Sequence, residues 1–145
     1  MYFWHIGILT RDIEKTIGDF CALPGGARES WTVMELEFPQ DKMVIGQGGR
    51  LRAAFARVGG SAVELLQPLD ATSHHAFELE KKGPGPHHLA YVCPGGLDAA
   101  VQALTARGGS VVWDFQNGEE RALYIETADG DMNFELVNIC PFMPE

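Results

Sequence analysis

Cysteine is scarce in this chain of 145 residues: Cys21, Cys93 and Cys140 are odd in number and share no C-x-x-C spacing. A disulfide framework and a cysteine-ligated zinc site are thereby excluded, and neighbours such as Phe20, Val92 and Ile139 mark the three as reduced core thiols. Basic side chains are also few, eleven Lys and Arg against twenty Asp and Glu, for a formal charge of −9. Such a surface repels phosphate backbones and anionic lipid, so nucleic acid is not expected as a partner. A small anionic substrate stays open, because Arg side chains around a cationic metal reverse the potential inside one pocket. Missing, too, is any long hydrophobic run: nothing approaches the roughly 20 apolar residues of a membrane helix, and the opening MYFWHIGILT has no basic segment ahead of its apolar stretch. No membrane association and a cytoplasmic location are expected.

What the chain does have is a hydrophobic fraction of 46%, enough for one substantial core in a single domain. Residues 5–9 read as a strand, and Asp12 caps a helix whose Ile13, Ile17 and Phe20 recur at helical spacing. Pro24-Gly25-Gly26 ends that helix. Trp31, Val33, Leu36 and Phe38 give an extended segment, a loop with Pro39 and Gly46 to Gly49 follows, and residues 51–58 and 62–66 form a hairpin across Gly59-Gly60. Residues 70–86 are polar, hold a short helix at 75–82 and act as a linker. The pattern then begins again, with a strand at 88–92, a helix on Leu97, Val101 and Leu104 closed by Gly108-Gly109, and strands at 110–115, 122–126 and 132–137.

The repeat shows in residues as well as in order. Each half opens on His-apolar-small-apolar, His5-Ile6-Gly7-Ile8 and His88-Leu89-Ala90-Tyr91. Each closes on apolar-Glu-Leu-apolar, Val63-Glu64-Leu65-Leu66 and Phe134-Glu135-Leu136-Val137. Internal duplication, with halves at 1–69 and 87–140, is the economical explanation. Two βαβββ modules forming a cupped, mostly antiparallel α+β sheet are expected, with exposed edges that favour a homodimer.

Strand alternation turns these residues into a site. Ile6 and Ile8 face the helix-packed core, which sends His5 to the other side; Val63 with Leu65, and Phe134 with Leu136, do the same for Glu64 and Glu135. A pseudo-twofold axis brings two imidazoles and two carboxylates together, a donor set suited to one divalent ion: Zn²⁺, Ni²⁺, Co²⁺, Mn²⁺ or Fe²⁺. Each residue alone is more simply read as a backbone-bonded histidine or a solvent-facing glutamate. Matching positions in both repeats favour the shared ion.

These residues resemble the vicinal oxygen chelate superfamily, which includes glyoxalase I, methylmalonyl-CoA epimerase, extradiol dioxygenases and fosfomycin-resistance proteins. The likeness is most specific in Val63-Glu64-Leu65-Leu66-Gln67-Pro68-Leu69 and in Gly83-Pro84-Gly85-Pro86-His87-His88-Leu89-Ala90, which look like the epimerase pattern of an ELL-x-PL strand and a Gly-rich lead into a His-His pair. The resemblance points to His88 rather than His87 as ligand, alongside His5, Glu64 and Glu135. It implies a metal-dependent isomerase that stabilises an enolate of an acyl-CoA or similar vicinal-oxygen substrate. It also implies a glutamate base, drawn from Glu64 and Glu135 or from Glu35 and Glu37, which share one face of the extended segment. Arg121 falls where relatives carry a basic residue near the substrate, and its fork can hold a carboxylate bidentately. The alternatives are a lactoylglutathione lyase of the glyoxalase I type and a non-catalytic small-molecule-binding module of the same fold.

Other side chains carry blander expectations. At most one of Arg52 and Arg57 points into a cavity. His74, His75 and His87 are expected to be exposed or structural, and Phe55, Trp113, Phe115 and Tyr124 to be core.

Overall fold

The computed structural model describes residues 1–140. Its strands are β1 (Tyr2–Leu9), β2 (Thr32–Phe38), β3 (Met43–Ile45), β4 (Gly49–Val58), β5 (Ser61–Pro68), β6 (Gly85–Val92), β7 (Ser110–Asn117), β8 (Glu120–Glu126) and β9 (Asn133–Val137); its helices are α1 (Ile13–Cys21), α2 (His74–Lys82) and α3 (Asp98–Ala106). Local chemistry sets the boundaries. The Asp12 side chain accepts from the Lys15 amide at 3.1 Å and starts α1, and Ser73 accepts from the Ala76 amide at 3.1 Å and starts α2. Gly59 turns the β4–β5 hairpin at a φ of 64°, which glycine enters without steric cost.

All nine strands join one mixed sheet, ordered β2-β4-β5-β1-β6-β9-β8-β7-β3. The β1–β5 and β6–β9 pairs are parallel and the remaining pairs antiparallel, the α+β glyoxalase-like arrangement. Reading outward from the central β1–β6 pair, β1-β5-β4-β2 is matched by β6-β9-β8-β7. β3 is the strand that the sequence did not show. It is three residues long, too short for an alternating pattern, and it pairs with β7.

That short strand forces the sheet to curl. β2 and β3 lie at opposite ends of the strand order, yet only residues 39–42 separate them. A flat sheet of this size spans about 38 Å at ~4.8 Å per strand, whereas the connection reaches about 18 Å at most. Phe38 fills the resulting seam, with its ring 4.9 Å from Trp113 and 5.0 Å from Phe115.

Three apolar clusters follow from the alternation. Ile13 and Ile17 of α1 pack with Ala54, Ala56, Val63 and Leu65 on one outer face. Leu97 beside α3 packs with Leu123, Ile125 and Leu136 on the other. The concave side holds Trp4, Leu51, Phe55, Leu66, Trp113, Tyr124 and Val137. Phe55, Trp113, Phe115 and Tyr124 are all buried, as expected. Residues 74–82 depart from a solvated linker, because α2 buries His75, Ala76, Glu78 and Leu79. The three cysteines form no disulfide, and Cys93 is buried.

Candidate metal centre

Two irregularities in the β1–β6 ladder set the centre. Phe3 pairs with Tyr91 and His5 with Ala90, which leaves Trp4 as an extra residue in β1; Gly7 pairs with His88 and Ile8 with Pro86, which leaves His87 extra in β6. A bulge re-aims side chains that strict alternation would send elsewhere. Each one immediately precedes a site histidine, so the bulges obey the same internal symmetry as the repeat. The carboxylates obey it as well. Glu64 of β5 sits opposite Gly7 and Glu135 of β9 opposite Ala90, in each case two residues past the histidine.

The four side chains meet in the buried interior. His5 Nε2 lies 3.1 Å from His88 Nε2, 3.4 Å from Glu64 Oε1 and 3.3 Å from Glu135 Oε2. His88 Nε2 lies 3.6 Å from Glu64 Oε1 and 2.8 Å from Glu135 Oε2. Ligands about 2.1 Å from one ion stand about 3.4 Å apart when tetrahedral and about 3.0 Å apart at adjacent octahedral positions, so these separations fit a shared centre.

Charge balance points the same way. Two buried carboxylates face two imidazoles, and among the described residues no Lys or Arg pairs with any of the four. Glu135 Oε2 has no aligned donor despite its short distances. Buried negative charge requires a cation. A proton is one answer: burial opposes charging His5, but Glu64 and Glu135 outweigh it and push its pKa up to about 10. Burial likewise opposes ionising Glu135, yet His88 and His5 hold it well below the carboxylate range. A divalent ion is the other answer, and the donor set fits one.

Close packing holds the histidines. A Cβ at position 7 would collide with the His88 ring, so only glycine lets the imidazole lie across β1. Behind His88, its Nδ1 meets His87 Nδ1 at 2.9 Å, while Asn133 approaches His87 Nε2 at 3.5 Å. His75 and Tyr124 share a 2.7 Å hydrogen bond beside them. Burial pushes the His75 pKa down to about 3, and burial is also the largest influence lowering His87, so both rings are neutral. Of the exposed or structural places expected for these histidines, His75 and His87 take buried ones: a bulge and a docked helix bury them, and neither device leaves a mark in hydrophobic periodicity. The clustering of His74, His75, His87 and His88 around one linker was the available signal.

Above the four residues opens a largely apolar cavity lined by Trp4, Met34, Leu36, Phe38, Leu51, Phe55 and Leu66, with Glu64 and Glu135 in its wall. The β2 contribution corrects one expectation. Met34, Leu36 and Phe38 face the cavity, so Glu35 and Glu37 point outward by alternation; Glu35 pairs with Arg50 at 3.6 Å on the exposed face. Neither glutamate reaches the site. Arg121 does line the cavity, but its fork is already closed. Nε and Nη2 donate to Asp114 at 3.2 and 2.9 Å, and Nη1 donates to Asp98 at 3.4 Å. Arg52 instead reaches Glu14 of α1 at 3.0 Å, outside the cavity.

Comparison with known proteins agrees with this architecture. The Bacillus subtilis (strain 168) protein YqjC is 32% identical over 112 residues, covering 74% of this chain and 76% of its own length. The methylmalonyl-CoA epimerase of Mycobacterium tuberculosis superposes with a TM-score of 0.63 at 27% identity, over 96% of this chain and 88% of that one. A variant of the Streptomyces coelicolor methylmalonyl-CoA epimerase, in complex with 2-nitronate-propionyl-CoA, has the same fold at a TM-score of 0.60 and 23% identity, over 93% and 92% of the two chains. The family model for the glyoxalase/bleomycin resistance protein/dioxygenase superfamily matches residues 4–124, a span that takes in His5, Glu64 and His88 and stops short of Glu135. On that match, with the cupped sheet and its buried His and Glu groups, the chain belongs to the glyoxalase/bleomycin resistance protein/dioxygenase superfamily.

Proposed function

We propose that the chain is a divalent-metal-dependent isomerase of the methylmalonyl-CoA epimerase type, acting on an acyl-CoA or a similar substrate with neighbouring oxygens. The observation that carries this reading is the convergence of His5, Glu64, His88 and Glu135 beneath an apolar cavity. A divalent ion held by these four supplies Lewis acidity, which makes a C–H beside a substrate carbonyl acidic.

The chain's own residues then handle the proton. With Glu35 and Glu37 turned away, Glu64 and Glu135 are the buried carboxylates that face the cavity. Epimerisation removes a proton from one side of a carbon and returns it on the other. Glu64 and Glu135 come from strands on opposite sides of the β1–β6 pair and supply one carboxylate for each side. Trp4, Phe55 and Leu66 exclude water from the carbon being deprotonated, and Arg121, pinned by Asp114, shapes the cavity wall. A glyoxalase I-like lyase is the second reading. It is favoured by the same observation, since proton transfer there falls to the glutamates of the centre rather than to a separate base.

The test reconstitutes chelator-stripped protein with each of Zn²⁺, Co²⁺, Ni²⁺, Mn²⁺ and Fe²⁺. Solvent deuterium incorporation into methylmalonyl-CoA is followed by NMR, beside turnover of the methylglyoxal–glutathione hemithioacetal. Exchange that requires metal and falls at least 100-fold in Glu135→Gln is expected. Metal uptake with neither activity would favour a binding module, and no metal uptake at His5 and His88 would sink the reading.

A further inference from the structure

Behind the centre lies a second group of ligating side chains with no part in the chemistry above. His74 and Glu78 stand one turn apart on α2, and His87 stands at the β6 bulge. One nitrogen of each ring and a Glu78 oxygen all lie within 4.8 Å of one another. His74 Nε2 is 3.6 Å from Glu78 Oε1, close to the ~3.4 Å between two ligands of a tetrahedral ion. The group is largely buried, with the Glu78 side chain 5% exposed and that of His74 12%. Yet His74 Nε2 and Glu78 Oε2 have no hydrogen bond. Buried polar atoms are nearly always paired; here Glu78 Oε2 has an ion pair with Lys82 at 3.3 Å, while His74 Nε2 is left without a hydrogen bond. Burial is the largest influence lowering the His74 pKa, which leaves the ring neutral and able to ligate.

We propose that His74, Glu78 and His87 form a second divalent-cation site, a His₂Glu donor set suited to Zn²⁺, Co²⁺ or Ni²⁺. Lys82 guards it. Its ammonium lies 3.3 Å from Glu78 Oε2 and 3.6 Å from Glu126 Oε1, on a half-exposed side chain free to withdraw toward Glu126 as an ion enters. An ion here ties α2 to β6, and because two ligating neutral imidazoles cannot also share a ring-to-ring hydrogen bond, the 2.9 Å contact between His87 and His88 opens when both centres fill. This site does not rest on the isomerase reading.

Chelator-stripped full-length protein is titrated with Zn²⁺ by calorimetry and with Co²⁺ by visible absorption, and elemental analysis counts ions after desalting. Two ions per chain are expected. His74→Ala and Glu78→Gln each lose one, whereas His5→Ala loses the other and keeps the ion at α2. Lys82→Met, checked for native circular dichroism, tightens the second step about fivefold by removing one positive charge near the ion. If His74→Ala and Glu78→Gln, checked for native circular dichroism, bind as many ions as the unaltered chain, the second site is overturned. A single ion lost only in His5→Ala overturns it too while leaving the isomerase reading intact. A single ion lost only in Glu78→Gln upholds the second site and removes the first.

Discussion

Ion binding at the four-residue centre should release a proton, and the size of the effect follows from His5. Its pKa of about 10 in the ion-free protein means that at pH 7.5 essentially every chain holds that proton between His5 and the two carboxylates. A ligating imidazole nitrogen must give it up, so the ion competes with one proton. Between pH 7 and pH 9 the apparent affinity for Zn²⁺ therefore rises about tenfold per pH unit, or about 1.4 kcal/mol. Stability follows the same linkage. A raised native pKa stabilises the ion-free protein fully below the ordinary value of 6.5, and that contribution is lost as pH climbs through about 10. The ion-loaded protein has no such loss, so the gap in Tm between the two forms widens by about 3–6 °C per pH unit for a chain of this size. Calorimetry in buffers of different ionisation enthalpy counts the protons, and thermal melts with and without Zn²⁺ read the gap. Zero protons released, with an affinity flat from pH 7 to pH 9, would refute the reasoning.

Further expectations concern the scaffold around the centre. Gly7→Ala drives a methyl into the His88 ring and should weaken Zn²⁺ binding about 10–100-fold in a chelator competition, comparable to loss of a supporting contact. Tyr124→Phe leaves buried His75 without its 2.7 Å partner and should cost about 1–3 kcal/mol in urea unfolding. Arg121→Met strands the buried Asp114 carboxylate, so a loss of about 3 kcal/mol is expected by the same measurement, with recovery when Asp114→Asn is added. Glu37→Gln, on the outward face of β2, should change stability by no more than about 0.5 kcal/mol and leave deuterium exchange as it was.

The sequence made the fold legible where periodicity was strong. Asp12, Ile13 and Ile17 announced α1, and the paired His and Glu motifs announced both the repeat and four side chains that do converge. What stayed hidden was decided by tertiary geometry. Strict alternation predicts that neighbours such as His87 and His88 face opposite ways, and only a bulge lets both turn to one side. On β2 the pattern allowed Glu35 and Glu37 either face, and the seam settled it by demanding Phe38, hence Leu36 and Met34, inside. Arg121 lines the cavity, but Asp114, seven residues earlier and across a strand pair, holds its fork. Pairings that distant leave no local trace.

The short run from Phe38 to Met43 acts as a hoop. Because β3 grips the far rim of the sheet, the first half of the molecule holds the second half shut as well as abutting it along the middle. A cut within residues 39–42 would leave every ligand in place along the chain while slackening the vessel that gathers them, so binding strength at the centre becomes a gauge of how tightly a distant rim is fastened.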